Sequence, residues 1–328
     1  MNRNVFLCAA LLACGGNQHQ PGVPQTDLGT ATHNTRPVGG TTTGSHADPA
    51  RDFRVGYADP GGMWMPSQMV LPQHAETLHK MGVAIDPKRL GDPLSEPLAA
   101  VVYLGGCTGS FVSPDGLVVT NHHCVQGALE FNTDVEKHDY MQDGFLAKTI
   151  ADEPSAGPAS RIMVLQAYKD VTSEMRDGLD AIKDPIARKD ESEKRYKQLV
   201  AACEKDRPGI RCSVSSFFGG GTYQLSEMLE IRDVRLVYAP ERSIGNFGGE
   251  IDNWEWPRHT GDWSYLRAYV GKDGAPADYA KDNAPYHPKH WLKVSTAGLK
   301  PADFVMVAGY PAYTDRLATA SEVRHDIE

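Results

Sequence analysis

The chemistry-bearing residues of this chain crowd into one stretch, CTGSFVSPDGLVVTNHHC, which runs from Cys107 to Cys124. It ends in two adjacent histidines, His122 and His123. Histidine's ordinary pKa lies nearest neutrality, which makes it the usual proton acceptor where a base must work near pH 7. The run Leu117-Val118-Val119-Thr120 reads as a buried strand, and Pro114-Asp115-Gly116 as the turn before it, with Gly116 free to take a positive φ. The strand therefore presents both histidines at its rim. A Cys107–Cys124 disulfide would pin that rim to the start of the hairpin. Further on, Asp262 follows Thr260-Gly261 and precedes the apolar run WSYLRAYV. A carboxylate at a strand mouth can accept from a histidine Nδ1–H and fix its tautomer. Taken alone, Asp262 reads better as a turn or cap residue; the reading shifts once His123-Cys124 is considered with it. A zinc site from Cys107, His122, His123 and Cys124 is the rival reading. It is opposed by geometry, because neighbours on a strand alternate faces and cannot easily converge on one ion.

The rest of the chain must hold these groups in place. Its 328 residues, 41% hydrophobic with 13 Tyr and 5 Trp, are enough for a real core. The net charge is -9 and no basic block occurs, so nucleic acid is not an expected partner. The chain begins MNRNVFLCAALLACGG. Arg3 and the apolar Val5 to Ala13 form a secretory signal too short to span a bilayer. Leu11-Leu12-Ala13-Cys14 resembles the bacterial lipobox. The expectation is a signal peptide over 1–13, a lipidated Cys14, and a flexible tether to residue 50 rich in Gly, Thr, Pro and Asn. An ordinary signal peptide cut past Gly16 is the alternative. Either way the protein is exported, to the bacterial periplasm or the cell surface, where disulfides are permitted. Cys8 leaves with the signal and Cys14 takes lipid. Cys107 with Cys124, and Cys203 with Cys212, remain as short-range pairs.

Folded sequence begins near Arg51. Residues 67–82 carry a helical pattern with Gly82 as its C-cap. Leu98 to Leu104 and Arg161 to Tyr168 read as strands. Val125 to Leu129 leads into a polar loop and a short helix. Val171 to Lys205 reads as a helical pair broken at Pro185, with apolar residues such as Met175, Leu199 and Cys203 at helical spacing. From Cys212 the pattern returns to strands: Ser213 to Phe218, Tyr223 to Ile231, Val234 to Tyr238, Trp263 to Val270, His290 to Ser295 and Asp303 to Ala308. Such short segments suit a β-sandwich or barrel. Gly219-Gly220-Gly221 lies between strands and lacks the Lys-Ser/Thr of a phosphate loop. Thr314 to Glu328 turns helical.

Several motifs carry a resemblance: CTGSFVSPDGLVVTNHHCV, SSFFGGGTYQL, DVRLVYAP, NFGGEIDNWEWPRHTGDWSYLRAYV, PKHWLKVS and DFVMVAGYP. Together they resemble the S46 peptidases, bacterial periplasmic or surface dipeptidyl-peptidases. The resemblance implies a mainly β fold with inserted helices: a chymotrypsin-like barrel over 51–314, helices inserted near 171–205, and the start of a helical domain at 315–328. It makes His123 the general base, Asp262 its orienter and His122 a structural neighbour. Asn253 and Trp254 would hold the substrate's free N-terminal amine, while Trp256 packs. Glu255 and Ala312-Tyr313 depart from the family pattern. Family members run roughly twice as far, and their second barrel, with the serine nucleophile, is expected beyond residue 328. No Gly-x-Ser-Gly element occurs here, and Ser110, Ser113, Ser215 and Ser216 sit in strand or turn settings. The expectation is the base half of a serine dipeptidyl-peptidase that needs no metal or organic cofactor. Its partners would be peptide substrates, the membrane through Cys14, and a second copy when the protein is full length. A non-catalytic peptide-binding lipoprotein is the second reading, and a metal-binding lipoprotein the third.

Overall fold

The computed structural model describes residues 48–59, 63–249, 259–311, 320–321 and 324. Its centre is one antiparallel sheet. The strands are β1 (Val101–Tyr103), β2 (Thr108–Phe111), β3 (Leu117–Thr120), β4 (Phe145–Leu146), β5 (Ile162–Asp170), β6 (Ile210–Phe217), β7 (Thr222–Ile231), β8 (Asp233–Ala239), β9 (Ser264–Val270) and β10 (Ala284–Pro285). They pair in the order β4-β8-β9-β3-β2-β1-β5-β7-β6, with β10 also on β9. Alternation decides which face is buried: Val118 and Thr120 of β3 point inward, as do Ser264, Leu266 and Ala268 of β9. The core gathers Val102, Phe111, Leu129, Ile162, Ile231 and Leu236, all fully buried. Each such side chain contributes roughly 1.5–3 kcal/mol by leaving water.

The sheet cannot be flat. β7 and β8 stand six places apart in the ladder, which would be about 29 Å at the usual strand spacing. Yet only Arg232 separates them in the chain, a reach of about 7 Å. The sheet must therefore curl until its distant strands meet at Ile231–Asp233.

The helices are α1 (Pro49–Gly56), α2 (Pro72–Lys80), α3 (Pro87–Leu90), α4 (Gln126–Asn132), α5 (Tyr140–Asp143), α6 (Thr172–Arg176), α7 (Pro185–Glu204) and α8 (Arg242–Gly245). Pro185 opens α7 at its first turn, where no N–H is needed, and Asp184 caps it by accepting from the Ile186 N–H. The helical pair is thus broken where the sequence predicts. A smaller core of Val171, Met175, Cys203, Cys212 and Leu225 joins α6 and α7 to the sheet.

Four expectations need correction. The helix predicted over 67–82 divides into a 3₁₀ turn at Pro66–Gln68 and α2, because Pro72 starts a new first turn; Gly82 does take φ +75°. The strand predicted from Leu98 begins only at Val101, after a 3₁₀ turn over Leu98–Ala100. His290 to Ser295 and Asp303 to Ala308 are not strands. Leu292 donates one backbone bond to the Phe111 carbonyl, and Val307 is 98% exposed. Apolar composition alone does not make a strand where no ladder partner is at hand. The predicted Thr314 to Glu328 helix lies almost wholly outside the described residues.

Candidate active site

The β3–β9 register builds the site. Thr120 pairs with Ser264, the last residue of β3 against the first of β9. Continuing the antiparallel pairing by two residues brings the segment after β3 opposite Asp262. There Asn121 and His122 lead into a 3₁₀ turn, His123–Val125. Upstream, the turn is set by Ser113, whose Oγ accepts from the Asp115 and Leu117 N–H groups. Gly116 takes φ +70°, and a Cβ there would meet the carbonyls of Tyr286 and Ala268 at 2.7 and 2.8 Å.

Asp262 grips His123 at two points. Its Oδ1 accepts from the His123 backbone N–H at 3.0 Å, and its Oδ2 lies 2.8 Å from Nδ1. The Asn121 amide donates to the same Oδ2 at 3.0 Å and to the Asp262 carbonyl at 3.2 Å. Burial would raise the Asp262 pKa, but the backbone and ring bonds from His123 outweigh it and hold the carboxyl below its usual range. An ionised carboxylate only accepts, so the proton of this bond sits on Nδ1. Nε2 then carries the lone pair on a ring that is 60% exposed. The Cys107–Cys124 disulfide, with Cα atoms 6.1 Å apart, ties the 3₁₀ turn to the start of β2. A second disulfide, Cys203–Cys212, joins the end of α7 to β6.

His122 does something different. It is 3% exposed, and neither ring nitrogen has a hydrogen-bond partner among the described residues. Burial pushes its pKa down; the Asp262 charge pulls it up and His123 pushes it down further. The ring packs against Gly245, the last residue of α8, so closely that a Cβ there would stand 2.5 Å from Cγ and Cδ2. That contact supports the neck of a loop. The Gly261 N–H donates to the Ile244 carbonyl at 2.9 Å, and the Thr260 hydroxyl to the Phe247 carbonyl at 2.7 Å. Asp262 follows directly. The neutral ring of His122 thus fixes the height at which the chain delivers Asp262 to its neighbour.

The structure brings His123, Asp262, Cys107 and Cys124 together, and pairs Cys203 with Cys212 elsewhere. Asn253, Trp254 and Cys14 lie outside the described residues. Ser113 serves the turn, Ser110 is in β2, and Ser215 and Ser216 are in β6. None of these four serines hydrogen-bonds to His123, whose side-chain partner is Asp262. Sequence reading missed Asn121; its only signal was a side-chain donor two residues before the base. One premise about zinc also changes. His123 and Cys124 sit on a 3₁₀ turn, not a strand, and one donor atom each from Cys107, His123 and Cys124 lie within 4.8 Å of one another. As disulfide sulfurs, neither cysteine has a thiolate to offer.

An imidazole oriented through Nδ1 by a half-buried carboxylate, on a ring that is 60% exposed, is an arrangement that can accept a proton at Nε2. The chain belongs to the Peptidase S46 family, whose pattern residues 58–328 match. It is 51% identical over 263 residues to the Asp/Glu-specific dipeptidyl-peptidase of Shewanella putrefaciens, covering 80% of this chain and 35% of that protein. It is 37% identical to the dipeptidyl-peptidase 7 of Porphyromonas gingivalis, over 81% of this chain and 37% of that one. The crystal structure of Porphyromonas endodontalis DPP11 in complex with substrate superposes with a TM-score of 0.72 at 38% identity, covering 80% of this chain and 39% of the other. The chain thus spans little more than a third of the length of these relatives.

Proposed function

We propose that this chain carries the general-base half of a serine dipeptidyl-peptidase site. His123 takes the proton from a serine hydroxyl as it attacks the peptide carbonyl. It then returns the proton to the leaving amine, and the acyl-enzyme releases a dipeptide on hydrolysis. Asp262 keeps the imidazole in the tautomer this needs. Asn253 and Trp254 receive the substrate's N-terminal ammonium, an amide oxygen accepting and an indole face stabilising the cation. The curled sheet is read as the chymotrypsin-like first barrel. Export, lipid anchoring at Cys14 and pairing of two copies in the full-length protein belong to the same reading.

The observation that carries it is the double grip of Asp262 on His123. It fixes both the position and the tautomer of a ring whose other nitrogen is open. The name of the 51% identical relative makes Asp and Glu the side chains to test first as the second substrate residue. Purified from its own cells, the protein should release dipeptides from dipeptidyl-naphthylamides ending in Asp or Glu. His123→Ala should lower the rate by about 10⁴ or more while leaving the circular dichroism spectrum intact. Undiminished hydrolysis by His123→Ala would refute the assignment.

A further inference from the structure

The disulfide beside His123 hides a second donor set. Cys107 and Cys124 are each half-buried, whereas Cys203 and Cys212 are 9% and 8% exposed. One sulfur from each of Cys107 and Cys124 and one His123 ring nitrogen already lie within 4.8 Å of one another. A tetrahedral zinc site places thiolate and imidazole donors about 3.5–3.8 Å apart. Two sulfurs joined at about 2 Å must therefore part by under 2 Å to reach that spacing. The backbone leaves room for this. Gly105 and Gly106, which precede Cys107, are exposed, and a Cβ on either would meet nothing within 4 Å. On the other side, the 3₁₀ turn keeps His123 and Cys124 close together.

We propose that Cys107, Cys124 and His123 form a latent site for a thiophilic divalent cation such as zinc. The site opens when the disulfide is reduced and silences the His123–Asp262 pair when filled. A dithiol supplies two electrons and two protons: the Cys107–Cys124 bond breaks, two cysteine thiols form, and the dithiol leaves as its own disulfide. The cation then displaces both thiol protons to solvent. It forms two metal–sulfur bonds and one metal–nitrogen bond to neutral imidazole, with water in the fourth position. Two thiolates neutralise the cation's charge, which suits a half-buried place. The effect on the base does not depend on which nitrogen binds. A metal on Nε2 occupies the lone pair that must take the proton, and a metal on Nδ1 displaces the bond to Asp262.

Metal binding stands apart from the peptidase reading; only the inhibition rests on it. The protein is reduced with dithiothreitol, freed of it without oxygen, and titrated with Co²⁺. One equivalent should give thiolate-to-cobalt charge transfer in the near ultraviolet and tetrahedral d–d bands in the visible, and zinc should abolish both. The oxidised protein should show neither band. Cys124→Ser should lose the bands, and His123→Ala, which keeps the disulfide as its folding aid, should bind at least about tenfold more weakly. The double variant Cys203→Ser/Cys212→Ser should keep the bands. In the peptidase assay, zinc should inhibit the reduced protein and spare the oxidised one. Absence of bands in the reduced protein overturns the proposal, as does their survival in Cys124→Ser or unchanged affinity in His123→Ala. An inactive protein that still shows the bands refutes the peptidase reading and leaves the metal site standing.

Discussion

Replacing Gly245 by alanine tests the contact that sets the height of the loop neck. The added Cβ would stand 2.5 Å from Cγ and Cδ2 of His122 and 2.8 Å from Nδ1, where ordinary contact needs at least 3.4 Å. About 1 Å of movement is required, from a buried ring on one side and a helix end on the other. Overpacking of this size costs about 1–3 kcal/mol. Alanine returns up to about 1 kcal/mol in a helix interior, and less here, because Gly245 is the last residue of the short α8. The net expectation is destabilisation by about 1–2 kcal/mol. With a urea slope near 3 kcal/mol per M, the unfolding midpoint should fall by roughly 0.3–0.7 M. A double-mutant cycle with His122→Ala isolates the cause. With the ring gone, Gly245→Ala should cost nothing or stabilise, giving a coupling energy of about 1 kcal/mol or more. An equal cost in both backgrounds, or no cost in the wild type, would show that the ring does not carry the neck.

Asp262→Asn should keep the fold but let the amide face His123 with a donor, so that kcat drops by about 10⁴ with little change in KM. Steady-state rates on a dipeptidyl-naphthylamide decide this, and a loss of less than about tenfold would count against the orienting role. Glu227 is buried, with Lys169 at 2.5 Å and Arg207 at 2.6 Å. Its pKa is lowered chiefly by the Lys169 bond, then by that from Arg207. A folded pKa below the unfolded one gives stability that is full above the unfolded value and lost as pH falls through the folded one. The penalty of Glu227→Gln, read from urea midpoints, should therefore be larger at pH 7 than at pH 3. A penalty independent of pH would contradict the pairing.

The hairpin and its histidines were legible because local chemistry fixes them: Pro, Asp and Gly in the turn, branched residues in the strand, and cysteines at both ends. Pro185 marked the start of α7 for an equally local reason. Long-range features left no such mark. Asp233 and Arg235 form a buried ion pair at 2.9 Å, capped by the Asn283 amide and laid over the Tyr269 ring. In sequence nothing links them: Arg235 falls inside the predicted Val234 to Tyr238 strand and Asp233 just before it. The roles of Asn121 and Gly245 likewise depend on what stands opposite them. The false strands near the end of the described chain show the converse, since a ladder needs a partner that composition cannot supply.

The two halves of the base site differ in when they can exist. The Cys107–Cys124 crosslink spans 17 residues, whereas His123 and Asp262 are 139 residues apart. At ribosomal speeds of about 5–20 residues per second, that gap is roughly 7–28 s of synthesis. Contacts this distant in sequence also form late, because loop closure must precede them. The hairpin can therefore be made, and its cysteines joined, while its histidine still has no carboxylate. The ring acquires its fixed tautomer only when β9 docks on β3, so the same pairing that completes the sheet also arms the site.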